Sequence, residues 1–159
     1  MEQKKVEIRL MGHFVIEIDG KIHEELMTLS PKGVSLLELL ILAEGQTVQT
    51  DVLREELWHH DTVGMDPEEE KNRKQREKIR LKTLVCRTRQ YLNMLSPGLG
   101  ECIASERGAY SWKSFPDLSI DVEEIKTICT TLTKAHRIFI LLHIDRIRFH
   151  RNKGTLFHF

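Results

Sequence analysis

Apolar and polar residues alternate at the start of the chain. Val6, Ile8 and Leu10 share one face of an extended segment, and Phe14, Ile16 and Ile18 repeat the pattern once Gly12 has interrupted it. A period of two is the signature of a half-buried strand. Asp19-Gly20 comes next, a pair that accepts positive φ and closes tight hairpins, so Lys21 to Leu29 is expected to complete a small antiparallel sheet. The period then changes. Ser30-Pro31 marks a helix start, with Ser30 as N-cap and Pro31 in the first helical position. Leu36, Leu37, Leu39, Leu40, Ile41 and Leu42 make that helix apolar nearly all round, as a central core element requires, and Gly45 stops it. Thr50 stands where it can cap a second helix over Asp51 to Trp58, packed through Val52, Leu53, Leu57 and Trp58. Asp51 in its first turn suits the helix dipole. His59 to Glu70 contains Gly64, Pro67 and several acids and reads as a loop.

A third helix is expected to begin between Lys74 and Lys78 and to run to about Leu95. Leu81, Leu84, Val85, Leu92 and Leu95 keep the i, i+3, i+4 spacing of a core-facing stripe. Arg76, Lys82, Thr83, Cys86, Arg87 and Gln90 fall on or near the opposite side, with Arg80 and Arg89 on the flanks. Ser96-Pro97-Gly98 ends the helix. Cys102 to Trp112 reads as a β-hairpin turning at Gly108, with Arg107 at its tip. Strands, helix, helix, loop, long basic helix and hairpin make an α+β chain in the order of a winged helix-turn-helix. The expected division is residues 1–116 for that domain and 117–159 for a helical tail.

Charge sharpens the picture. The chain of 159 residues carries 24 Lys and Arg against 24 Asp and Glu, a net charge of zero that by itself argues against a strongly basic nucleic-acid binder. The distribution is uneven. Asp66 to Glu70 holds four acids and no base, whereas Lys71 to Arg89 holds nine bases against Glu77, a local charge of about +8. A major groove admits one α-helix, and a helix placed there needs an apolar side for anchorage and an outward side of donors. Residues 76–90 supply both. Arg can pair bidentately with guanine, Gln with adenine, and Lys and Thr reach phosphates or base edges. Arg107 suits a narrow minor groove. Each residue has a plainer reading. A basic run is ordinarily a solvated face, an Arg before Gly is ordinarily a turn residue, and Arg89 and Gln90 can serve the helix end.

Other chemistry finds little footing. Cys86, Cys102 and Cys129 have no CxxC spacing and suit a reduced, cytoplasmic protein. His59-His60-Asp61 lacks a third ligand at metal-site spacing, so neither a metal nor another cofactor is expected. With no nucleophile motif and no phosphate loop, no enzyme is expected either, and a hydrolase built on the histidine pair is the weakest reading. The longest apolar run near the C-terminus, Ile138 to Leu142, is too short to span a membrane.

The order of motifs resembles the OmpR-type winged-helix domain, and more closely the N-terminal part of the SARP-like bacterial transcriptional activators. The residues that carry the resemblance are Val6 to Gly20, Leu36 to Leu42, Val52 to Trp58, Leu81 to Arg89 and Glu106-Arg-Gly-Ala-Tyr110. Asp121-Val-Glu-Glu-Ile125 is similar to the opening of the helical activation domain in those regulators. The resemblance implies sequence-specific binding to double-stranded promoter DNA, often by side-by-side protomers on direct repeats, and a homodimer is a further partner to test. It further implies Arg87 on a base, Arg89 on a phosphate, Lys82 and Thr83 at variable groove positions and Arg107 in the wing. RNA polymerase would be touched through residues 59–73. The chain departs from the family in a wing one residue short, in a long acidic loop able to screen the basic helix, and in a tail from 136 to 159 that leaves the pattern. No receiver domain is expected ahead of Met1, so phosphorylation is not an expected switch. The alternative is a winged-helix protein-interaction module that does not bind DNA, in which Glu68, Glu69 and Glu70 fold over the basic helix.

Overall fold

The computed structural model describes residues 4–22, 29–58 and 64–131. The chain is α+β, with four helices and two small sheets among these residues. It divides into two compact units. One comprises residues 1–22 and 117–159, the other 23–116.

The first unit is built on the alternating strands. β1 (Val6–Arg9) pairs antiparallel with β2 (Val15–Ile18), and β2 with the short β3 (Lys21–Ile22). Asp19 and Gly20 adopt φ of 52° and 74°, the paired left-handed conformations that a two-residue hairpin loop demands. Val6, Ile8, Leu10, Ile16 and Ile18 are buried as the alternation predicts. A further strand comes from far along the chain. β7 (Leu118–Ile120) lies parallel to β1, giving the order β3-β2-β1-β7, so the sheet is mixed rather than purely antiparallel. The segment after residue 117 therefore opens as a strand and not as a helical tail. α4 (Asp121–Thr131) follows directly. Its first residue ties helix to strand end, because the Asp121 carboxylate accepts the backbone N–H groups of Leu10 at 3.0 Å and Met11 at 2.9 Å. Residues 23–28 of the expected third strand and the tail beyond 131 lie outside the described residues.

The second unit begins with α1 (Pro31–Leu42), capped as expected: the Ser30 hydroxyl accepts the Gly33 N–H at 3.1 Å. Leu36, Leu37, Leu40 and Ile41 are buried. α2 (Thr50–Leu57) packs through Leu53 and Leu57, while Val52, expected on that side, is 47% exposed. Val52 lies about 100° round the helix from Leu53, off the side through which Leu53 and Leu57 pack. The Thr50 hydroxyl does not cap the helix. It donates to the Gly108 carbonyl at 2.8 Å, as does the Thr50 N–H, also at 2.8 Å.

α3 (Pro67–Leu95) is 29 residues long and starts seven or more residues earlier than its apolar stripe predicts. The segment expected as a loop up to Glu70 is thus helical from Pro67. Pro67 at the first position, Asp66 before it and Glu68, Glu69 and Glu70 in the first turn are all favourable to a helix start. An apolar-periodicity reading overlooks that turn because it buries nothing. After α3 a 3-10 turn, Leu99–Cys102, leads into β5 (Ile103–Glu106) and β6 (Ala109–Trp112). With β4 (Val48–Gln49) they form a sheet in the order β4-β6-β5.

Candidate nucleic-acid interface

α3 is held from both sides. Toward α2, the Glu77 carboxylate lies 3.0 Å from the Arg54 Nη1 and 2.9 Å from the Arg73 Nη1, with Arg54 and Glu77 each 3% exposed. Asp51 reaches the other Arg54 nitrogen at 3.2 Å. The one acid in the basic run is therefore spent on a buried guanidinium, Arg54, and a half-buried one, Arg73, and is itself withdrawn from the surface. Toward the hairpin, Arg89 donates from Nε at 3.0 Å and from Nη2 to the Ile103 carbonyl, and from Nη2 to the Ser105 hydroxyl at 2.7 Å. The Gly100 N–H donates to Asn93 Oδ1 at 2.8 Å, and a Cβ at Gly100 would stand 2.5 Å from the Arg89 carbonyl oxygen. Only glycine permits that approach.

These ties leave one face of α3 in solvent. Leu81, Val85, Thr88, Leu92 and Leu95 are buried. At about 100° per residue, Ile79, Thr83, Cys86 and Gln90 form a crest directly opposite them. Arg76, Arg80 and Arg87 line one flank of the crest, and Lys78, Lys82 and Arg89 line the other. All of these residues are exposed except Arg89, which is half-buried by its bonds to the hairpin. An uncharged crest, offering the Thr83 hydroxyl and the Gln90 amide beside Ile79 and Cys86, runs between two cationic rows, a spacing of charge able to face two phosphate backbones.

Of the eight residues expected to contact DNA, Arg76, Arg80, Lys82, Thr83, Arg87, Arg89 and Gln90 share this helix. Arg107 is exposed at the hairpin tip on another element, beside Gly108 with φ of 70°. Their circumstances differ. The Arg80 guanidinium lies 5.8 Å from the centre of the Trp58 ring, a cation-π contact. The Thr83 hydroxyl donates to the Ile79 carbonyl at 3.1 Å and keeps its acceptor lone pairs outward. Arg89 already uses Nε and Nη2 within the fold, which makes it first a brace for the hairpin. Lys78 escaped the sequence reading as a site residue, although it precedes Lys82 by one helical turn.

The acids do not cover the basic face. Glu68, Glu69 and Glu70 occupy the first turn of the same helix, and Glu70 pairs with Lys74 at 2.6 Å. That bond holds the Glu70 carboxyl below its usual range. From Glu69 to Arg87 the helix rises about 27 Å, more than two screening lengths at physiological salt. The expected screening by an acidic loop is therefore absent among the described residues. His59, His60 and Asp61 lie outside those residues. Among the described residues no group of three His, Cys, Asp or Glu is placed to hold a metal, and no helix is long and apolar enough to cross a membrane.

Neither a scan of protein-family models nor a search of curated proteins finds a match for the chain.

Proposed function

We propose that this chain is a sequence-specific DNA-binding transcriptional regulator, with residues 29–116 acting as a winged helix-turn-helix of the kind its motifs resemble. The observation that carries the reading is the crest of α3, with Thr83 and Gln90 exposed between two cationic rows. In this reading α3 enters the major groove. Arg87 and Gln90 read base edges, and Lys82 and Thr83 contact bases or phosphates. Arg76, Arg80 and Lys78 hold the backbones and set the register. Arg107 reaches an adjacent minor groove from the hairpin tip. Arg89 acts mainly by bracing that hairpin against the helix. RNA polymerase contact through residues 59–73 and pairing of protomers on DNA belong to the same proposal.

The test is a binding titration across salt, on a duplex selected from a random pool and on an unselected one. Neutralising about six phosphates gives a slope of about −5 in log K against log salt. Arg87→Ala is expected to cost about 1–3 kcal/mol on the selected duplex and less on the unselected one, whereas Arg76→Ala weakens both alike. A slope near zero, or Arg87→Ala binding like the parent, overturns the proposal.

A further inference from the structure

We propose that the groove along the arginine flank of α3 receives an acidic amphipathic helix from a partner protein. The groove encloses about 1130 Å³ between α3 on one side and Leu29, Lys32 and Trp58 on the other. Its floor and lip are apolar to a degree that phosphate binding does not require. Ile79 is 58% exposed and Met94 50% exposed, and Leu84 and Tyr91 lie half-buried between them. From Ile79 to Met94 the groove follows α3 for about 22 Å, the length of a four-turn helix. Apolar anchors repeating each turn on a docked helix would meet this floor, as in helix-in-groove recognition.

Charge decides the occupant. Lys32, Arg80 and Arg87 line the groove, and no carboxylate does so among the described residues. Two of these cations are already fixed: Lys32 donates to the Leu57 carbonyl, and Arg80 rests on Trp58. Little side-chain freedom remains to be lost on binding. Thr88, wholly buried, also lines the groove, and its hydroxyl has no partner among the described residues. A partner helix with Leu or Phe on one face and Glu or Asp beside it complements both the floor and the cations. The chain's own tail does not. Residues 132–159 carry six Lys and Arg against Asp145, so their charge has the wrong sign.

Docking would cover Thr83 and Arg87, which also line the groove, and so exclude DNA. That consequence rests on the DNA-binding reading; the docking itself does not.

The experiment is fluorescence anisotropy with the full chain and a labelled designed helix of about sixteen residues. The probe carries Leu at helical spacing and Glu on its remaining faces, and a control carries Lys in place of Glu. A labelled duplex is titrated in parallel. The Glu helix is expected to saturate and the Lys helix not to. Ile79→Ser and Met94→Ser, both at exposed positions that leave the core intact, are each expected to weaken the Glu helix about tenfold, and with Met94→Ser, which lies off the crest, the duplex keeps its salt slope. Excess Glu helix is expected to displace the duplex. Equal binding of the Lys helix, unchanged affinity in both Ser variants, or no saturation overturns the docking proposal. Saturation by the Glu helix with no duplex binding leaves docking standing and removes the DNA reading.

Discussion

Cys86 and Cys102 have opposite environments for reasons a residue count does not contain. Cys86 is exposed on the crest of α3, whereas Cys102 is 2% exposed and burial pushes its thiol up to about 11 from an ordinary value of 9.0. Brief iodoacetamide treatment at pH 8 is expected to alkylate Cys86 and spare Cys102, as read by peptide mass spectrometry. Bound duplex is expected to slow the Cys86 reaction several-fold, because its neighbours Thr83 and Arg87 would then face bases. Cys102 also gives a pH signature. Its folded form holds the proton more tightly than its unfolded form, so its contribution is intact below pH 9.0 and declines as pH rises toward about 11. Urea midpoints measured across that range are expected to fall, and Cys102→Ala to remove part of the fall. The apolar strand residues were legible at this scale because β1 alternates in burial, whereas the burial of Glu17 between Ile16 and Ile18 in β2 was not. Nor were Arg54 and Glu77. Nothing local marks two charged residues separated by 23 positions as a buried pair.

Helix α3 owes its position to contacts made at its two sides, and each can be cut separately. Glu77→Ala leaves the buried Arg54 with only the exposed Asp51 as an ion-pair partner among the described residues and Arg73 without an i, i+4 partner. The expected loss is about 3 kcal/mol in urea unfolding, since breaking a buried pair from one side strands the other charge. Gly100→Ala forces a methyl against the Arg89 carbonyl oxygen and is expected to cost about 1–3 kcal/mol on the same measurement. The extent of α3 was only half legible. Its apolar stripe predicted residues from the mid-seventies to Leu95, but its first turns from Pro67 bury little and are held by charge and by proline geometry. The tie between Thr50 and Gly108 was equally hidden, because a hydroxyl suited to capping was recruited by the hairpin instead.

At the scale of the chain, a sequence pI of about 7.1 conceals a strongly polar arrangement of charge. Seven of the nine bases from Lys71 to Arg89 are exposed on α3. The protein is expected to bind heparin at pH 7 and low salt despite its zero net charge, eluting as salt rises. Replacing Arg76, Lys82 and Arg87 together by Ala is expected to shift elution to distinctly lower salt. A parent protein that passes through unretained contradicts an open cationic face. The sequence-based division groups residues 1–22 with the helices up to 116, whereas the compact units group them with residues 117–159. β1 and β2 fall in the unit that contains β7, through a parallel pairing across more than a hundred residues.

The order of strands and helices, the Asp19-Gly20 hairpin, the Ser30 cap and the buried stripe of α3 followed from local rules of period, turn and cap, and these act over a few residues. The tertiary structure alone decided that Glu77 is neutralised inside, that Arg89 braces the hairpin, that β7 completes the first sheet, and that Ile79 and Met94 stand exposed. Each of those depends on which distant groups meet, and loop closure brings such groups together without leaving a mark in the neighbouring sequence.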